Sequence, residues 1–210
     1  MVIAIDGPAG SGKSTIARML AKGLGISYIN SGRFYRALTL YCLRKDLDFS
    51  DSEQIRQIAL GASLSWENDQ VWLEGELIDE LLQTDEIDKR VAGLSAIVPL
   101  RHKVNELVRA ISHTNDIVVE GRDMTTVVFP DADYSFYLDA SAASRAKRRF
   151  EQGVSDLSYE QILEGILARD EIDRNKEEGS LKIAEHVEYL DSSDLTIDQV
   201  YARLMGKIQL

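Results

Sequence analysis

Gly7-Pro8-Ala9-Gly10-Ser11-Gly12-Lys13-Ser14 is a complete G-x-x-x-x-G-K-[ST] run, and it is followed by Thr15. Its chemistry is phosphate binding. Glycines let the backbone wrap its N–H groups around phosphate oxygens, the lysine brings a cation to the outer phosphates, and the serine hydroxyl suits Mg²⁺. A helix opening at Lys13 would aim the positive end of its dipole at the same anion. Phosphoryl transfer also needs cations that bridge donor and acceptor as charge spreads over the moving oxygens. Arg36, Arg122, Arg169, Arg174 and Lys176 are the candidates outside the loop. Glu120 ends an apolar run and Asp6 precedes the loop, so either carboxylate could reach a metal ion through water. A signalling GTPase is excluded, because no Asp has Gly three residues on and Asn175-Lys176-Glu177-Glu178 ends in the wrong residue. His102, His113 and His186 lack ligand spacing, which argues against zinc.

These residues need strands and helices to position them. Val2–Ile5 reads as a buried strand before the loop, residues 13–24 as a helix ending at Gly25, and Ser27–Ile29 as a short strand. A helix over 32–45 follows, with Phe34, Leu38 and Tyr41 on one face; Ser50-Asp51 caps another that runs to about 61. Three short β-like runs at 64–66, 71–73 and 76–78 read as an antiparallel insert, with Trp66 and Trp72 as its small core. Helices near 85–97 and 100–112 lead to the strand Ile117-Val118-Val119. The remainder reads as strand 134–138, helices 141–152 and 158–174, strand 187–190 and helix 196–207. Short apolar strands alternating with helices predict an α/β protein with a central parallel sheet flanked by helices. Arg145, Lys147, Arg148 and Arg149 read as a solvated basic patch on a helix.

Composition sets the class. The chain has 210 residues, 44% of them hydrophobic and 28% charged, which fits an ordinary folded domain rather than disorder. The net charge of −11 argues against nucleic acid or an anionic membrane as partner. Residues 1–45 nevertheless carry seven Lys/Arg against one acid, a pattern suited to a small, highly charged anion. The one cysteine, Cys42, fits a reducing cytoplasm, and no apolar run is long enough to span a membrane.

Five segments together carry a more specific resemblance: Ile5 to Ser14, Ser31 to Arg36, Glu120 to Ala132, Phe136 to Ser141 and Arg169 to Asn175. In this order they resemble the bacterial cytidylate (CMP) kinases, end to end. The run Gly121-Arg122-Asp123 leading into Val127-Val128-Phe129-Pro130-Asp131-Ala132 is the discriminating part. The resemblance implies one P-loop kinase domain over 1–210, with core segments 1–34, 95–150 and 178–210. It further implies a monophosphate-binding region at 35–94, which includes the antiparallel insert, and a helical lid at 151–177. It implies transfer of the γ-phosphoryl group of ATP to CMP or dCMP, with Mg²⁺, by a cytoplasmic monomer. By position, Gly7 to Thr15 bind ATP, and Lys13, Arg36, Arg122, Arg169 and Lys176 form the catalytic set. Ser31, Arg36, Ser95, Arg122, Asp123 and Asp173 bind CMP, and Ser14 holds the metal. Asp123 would accept from the cytosine amino group but meet a carbonyl in uracil, so UMP should be the poorer substrate. Closure of the lid and the monophosphate region would exclude water from the transfer.

The chain departs from that pattern at Asn30 (commonly Asp), at Thr125 (usually Gly) and at Lys176 (an expected Arg). The expected base-side arginine could be replaced by Arg101, Lys103 or Arg109. Rival readings are a kinase for UMP, AMP or shikimate, or a silent nucleotide-binding regulatory module. Against shikimate, the sequence contains no Gly-Gly pair.

Overall fold

A computed structural model describes residues 1–153 and 157–209. Part of the lid expected at 151–177 and the last residue of the core segment 178–210 therefore lie outside the described residues. The chain divides into two compact units: Met1–Tyr28 with the chain from Asp116 onward, and Ile29–Asn115.

The first unit carries the main sheet except for the end of one strand, which lies beyond Tyr28. Strands β1 (Val2–Asp6), β2 (Ser27–Asn30), β6 (Ile117–Gly121), β7 (Tyr134–Asp139) and β8 (Glu188–Asp191) stand in the order β2-β6-β1-β7-β8. β1 runs parallel to β6 on one side and β7 on the other, with Ile3 opposite Val118 and Tyr134; β7 runs parallel to β8. Ile3, Ala4 and Ile5 are wholly buried, as a strand covered on both faces requires. Helix α1 (Lys13–Leu24) and the last helix, α8 (Ile197–Met205), close one face. Ile16, Leu20, Val200 and Leu204 join Ile3, Ile5, Phe136 and Leu138 in one core. Helices α6 (Ala142–Glu151) and α7 (Tyr159–Arg174) pack on each other through Ala146, Ile162 and Ile166. Ser158 with Gln161 and Thr196 with Gln199 form reciprocal caps that start α7 and α8.

The second unit holds α2 (Ser31–Arg44), α3 (Ser52–Leu60), the antiparallel strands β3 (Leu64–Glu67), β4 (Gln70–Leu73) and β5 (Glu76–Leu77), then α4 (Asp85–Leu94) and α5 (Val98–Ser112). The side chain of Asp51 accepts from Gln54 N and caps α3 as expected. The insert's core differs from expectation. Leu64 opposite Leu73 and Trp66 opposite Val71 share the inward face, whereas Trp72 lies on the other face with Ser65 and Leu77. Side chains alternate along a strand, so burial of Val71 and Leu73 puts Trp72 on the opposite face.

One element is absent from the sequence-based expectation. Between β6 and β7 the chain makes a π-type turn at Met124–Val128, in which Val128 N donates to Asp123 O at 3.1 Å and Phe129 N to Met124 O at 2.7 Å. Such wide turns are rare and occur disproportionately at functional sites.

Candidate active site

The phosphate-binding loop leaves β1 at Asp6 and enters α1 at Lys13. At Gly7 a Cβ would lie 2.0 Å from the carbonyl oxygen of Leu138, so only glycine fits. Gly12 caps α1 with φ of 97°, a left-handed conformation that also favours glycine. The Lys13 ammonium lies inside the loop, donating to Pro8 O at 2.6 Å, with Ser11 Oγ at 3.4 Å. Burial, and next to it the positive charge of Arg122, push its pKa down to about 7; Glu120, Asp6 and Asp173 act in the other direction. A phosphate brought to this amine would stabilise its positive charge in place of the water that burial excludes.

A cleft of about 440 Å³ opens beside the loop. Gly12, Lys13, Ser14 and Thr15 form one wall, and Arg148, Gln152, Ser192, Leu195, Ile197 and Val200 form much of the other. Its size and mixed polarity suit the remainder of a nucleotide. The sequence reading missed this second wall. The available signal was position: Ser192 and Ser193 directly follow β8, and open parallel sheets bind ligands beyond the carboxyl ends of their strands.

The basic stretch on α6 is not a solvated patch. Arg145 is 2% exposed and makes a bidentate pair with Asp170 of α7, at 3.0 and 2.5 Å. It also donates to Ala140 O and to Ala9 O of the loop, at 2.9 and 3.0 Å. Arg148, one turn on, donates to Ser192 Oγ at 3.2 Å. Only Lys147 is strongly exposed, beside Glu151. Helical spacing points Arg145 and Arg148 at the loop while Lys147 faces water.

A second cluster lies at the carboxyl end of β6. Glu120 is buried and accepts from Tyr28 Oη at 2.7 Å. Arg122 Nε donates to Asp173 Oδ2 at 2.8 Å, Lys176 Nζ donates to Asp173 Oδ1 at 2.6 Å, and Arg169 lies 4.0 Å from the same carboxylate. Burial pushes the Asp173 carboxyl up, but Arg122, Lys176 and Arg169 together outweigh it and hold the group well below the usual carboxylate range. One carboxylate thus gathers three cations assigned from sequence. Asp123, 2% exposed, begins the π-type turn.

Asp6 is fully buried, and both its oxygens are engaged: Oδ1 accepts from Met124 N, and Oδ2 from the N and Oγ1 of Thr125. Burial raises its pKa to about 6 despite these bonds. The hard oxygen donors present, the Ser14 hydroxyl and the Glu120 carboxylate, are of the kind Mg²⁺ takes. Among the described residues no cluster of three or more His, Cys, Asp or Glu could hold a metal by itself.

The second unit contains the remaining sequence-assigned residues. Ser31 is buried at the start of α2. Arg36 donates to Leu82 O at 2.9 Å and pairs with Asp88 of α4. Ser95 Oγ donates to Ala92 O at 2.9 Å. Among the three cations left open for the base side, Arg101 is 1% exposed, donates to Ser95 O at 2.9 Å and lies over the Tyr35 ring. Lys103 reaches Leu60 O at the end of α3, and Arg109 lies in the last turn of α5.

The family model described as cytidylate kinase matches residues 3–210. The chain is 37% identical over 213 residues to a protein of Clostridioides difficile named cytidylate kinase, covering all of this chain and 99% of that one. It is 39% identical over 210 residues to one of the same name from Caldanaerobacter subterraneus, covering 99% and 94%. A shikimate kinase structure from Bacteroides thetaiotaomicron superposes with a TM-score of 0.52 at 12% identity, covering 100% and 99%, a likeness of fold alone. With the loop, its buried lysine and the cations beyond β6 already in place, a match running the whole length of the chain decides its kinship: the chain belongs to the cytidylate kinase family.

Proposed function

We propose that this phosphotransferase moves the γ-phosphoryl group of ATP to CMP or dCMP, giving ADP and CDP or dCDP. The observation that carries the reading is the buried charge cluster of the first unit. Lys13 in the phosphate loop is electrostatically coupled to Arg122, and Arg122, Lys176 and Arg169 converge on Asp173. Such a concentration of cations beyond the ends of parallel strands suits a reaction in which negative charge spreads over transferring oxygens. No covalent intermediate is required; positioning and charge neutralisation suffice.

In this reading Gly7 to Thr15 hold the triphosphate, and the cleft bounded by Arg148 and Ser192 takes the nucleoside of ATP. Phosphates arriving beside Lys13 favour its charged form. Arg122, Arg169 and Lys176 neutralise the transfer, and Asp173 keeps them assembled and meets the ribose. Ser31 and Arg36 take the acceptor phosphate, which competes with Asp88 for the guanidinium. Asp123 accepts from the cytosine amino group, and Arg101, with Ser95 beside it, serves the base side. Ser14, with Glu120, would hold Mg²⁺, which supplies Lewis-acid neutralisation of the phosphate oxygens when bound. The same reading makes the protein a cytoplasmic monomer that draws on the nucleotide pool. Among the described residues no helix is long and apolar enough to cross a membrane.

The test is ADP release from Mg-ATP with CMP, dCMP, UMP, AMP and shikimate offered separately. Turnover with CMP and dCMP and little with UMP is expected. Equal rates with UMP would remove Asp123 as the base reader. Silence with every acceptor, despite ATP binding, would replace the kinase reading with that of a regulatory module.

A further inference from the structure

Thr125 departs from the pattern that the resemblance implies, and the structure gives that difference a task. It is wholly buried, and its hydroxyl donates to Asp6 Oδ2 at 2.6 Å while its own N–H donates to the same oxygen at 2.7 Å. Met124 N donates to Asp6 Oδ1 at 2.9 Å. Three donors on one carboxylate fix two successive peptide planes just after Arg122 and Asp123. The Asp123 carbonyl accepts from Val127 N at 2.9 Å and from Val128 N at 3.1 Å, the second of these being a bond of the π-type turn. Asp6 is also the last residue of β1, immediately before Gly7. The carboxylate therefore joins the start of the phosphate loop to the segment that carries Arg122 and Asp123. Hydrogen bonds to a buried charged group are the strong, directional kind. The third one depends entirely on residue 125 having a hydroxyl, since any residue but proline supplies the two N–H donors.

We propose that Thr125 is a positioning residue: its hydroxyl bond to Asp6 sets Arg122 and Asp123 in register with the phosphate loop. The inference rests on the reading of those two residues as phosphate and base contacts. Thr125→Val keeps the shape and removes the donor, and Thr125→Ser keeps the donor and removes a methyl. Thr125→Gly removes the donor without setting a methyl against the carboxylate, so it serves if the valine variant does not fold.

Steady-state kinetics with CMP, UMP and ATP, together with hydrogen–deuterium exchange of the amides at 122–129, test the proposal. Thr125→Val and Thr125→Gly should lower kcat/KM for CMP about tenfold, as loss of one hydrogen bond to a charged group would. The KM for ATP should stay within about twofold. The preference for CMP over UMP should narrow, exchange at 124–128 should quicken, and Thr125→Ser should restore all of these. Unchanged CMP kinetics in both variants lacking the hydroxyl would overturn the proposal. So would a loss shared equally by CMP and ATP that follows a lowered Tm, because that marks a merely structural role. If the unaltered protein does not phosphorylate CMP, the functional reading fails on its own. The exchange arm then decides: faster exchange at 124–128 supports the role of Thr125, and unchanged exchange overturns it.

Discussion

Asp170→Asn leaves the shape of the α6–α7 contact intact and removes the charge that Arg145 is buried against. Both side chains of this pair are 3% exposed. The guanidinium keeps its bonds to Ala140 O and Ala9 O but loses a bidentate carboxylate held at 3.0 and 2.5 Å. The asparagine amide can offer one acceptor, and its NH2 faces the guanidinium donors. Arg174, 3.9 Å from Asp170 and 60% exposed, is itself a cation and offers no substitute for the lost carboxylate. Stranding one member of a buried pair costs about 3–5 kcal/mol. For a chain of this size that is a fall in Tm of roughly 6–20 °C. The double variant Arg145→Met/Asp170→Leu removes both charges and should recover most of the loss, since an apolar replacement of a buried pair is often near neutral. Thermal and urea unfolding of the two singles and the double supply the cycle, with a coupling of about 2 kcal/mol or more expected. Kinetics separate the two partners: Arg145→Met should raise the KM for ATP because Ala9 O loses its anchor, while Asp170→Asn, assayed well below its Tm, should change it little. A Tm for Asp170→Asn within about 2 °C of the unaltered protein, or a double variant as unstable as the sum of the singles, would refute the reasoning.

Burial presses the Lys13 pKa from 10.5 to about 7. Between those values the unfolded chain holds a proton that the native state has released, so stability rises with pH across that window. Relative to Lys13→Met, the protein should gain about 3 kcal/mol in urea unfolding between pH 7 and 9.5; parallel curves would sink the assignment. Arg122→Ala should lower kcat by about 10²–10³ while circular dichroism stays native, as for loss of a group that stabilises transition-state charge; near-normal turnover would end its assigned role. Arg101→Met should raise the KM for CMP about tenfold with the KM for ATP within about twofold, and equal effects on both would move Arg101 off the base side.

Local chemistry made much of this molecule legible without coordinates. The phosphate loop, with a buried strand before it and a helix after it, follows from glycine placement and apolar periodicity, and Lys13–Leu24 forms the helix expected there. The three short β runs separated by turn residues form the antiparallel sheet, because turn chemistry and alternation act over a few residues. The cap of α3, where the Asp51 side chain accepts from Gln54 N, is equally local.

Partner identity was not legible, because a charge in a sequence does not say which distant charge it will meet. Arg145 and Arg148 read as a solvated patch until α7 and the segment after β8 brought Asp170 and Ser192 to them. Trp66 and Trp72 read as one small core until the strand register placed them on opposite faces of the sheet. Arg101, Lys103 and Arg109 were equivalent cations along one helix, and only packing against Tyr35 and Ser95 buried the first of them. Thr125 was a departure from pattern until Asp6, 119 residues earlier, appeared within hydrogen-bond reach of it. Sequence alone determined the phosphate-binding chemistry and the elements that carry it, since both depend on contiguous residues. Tertiary structure decided which buried charges pair and which side chains are held in place, since those depend on contacts that exist only once the sheet has brought distant strand ends together.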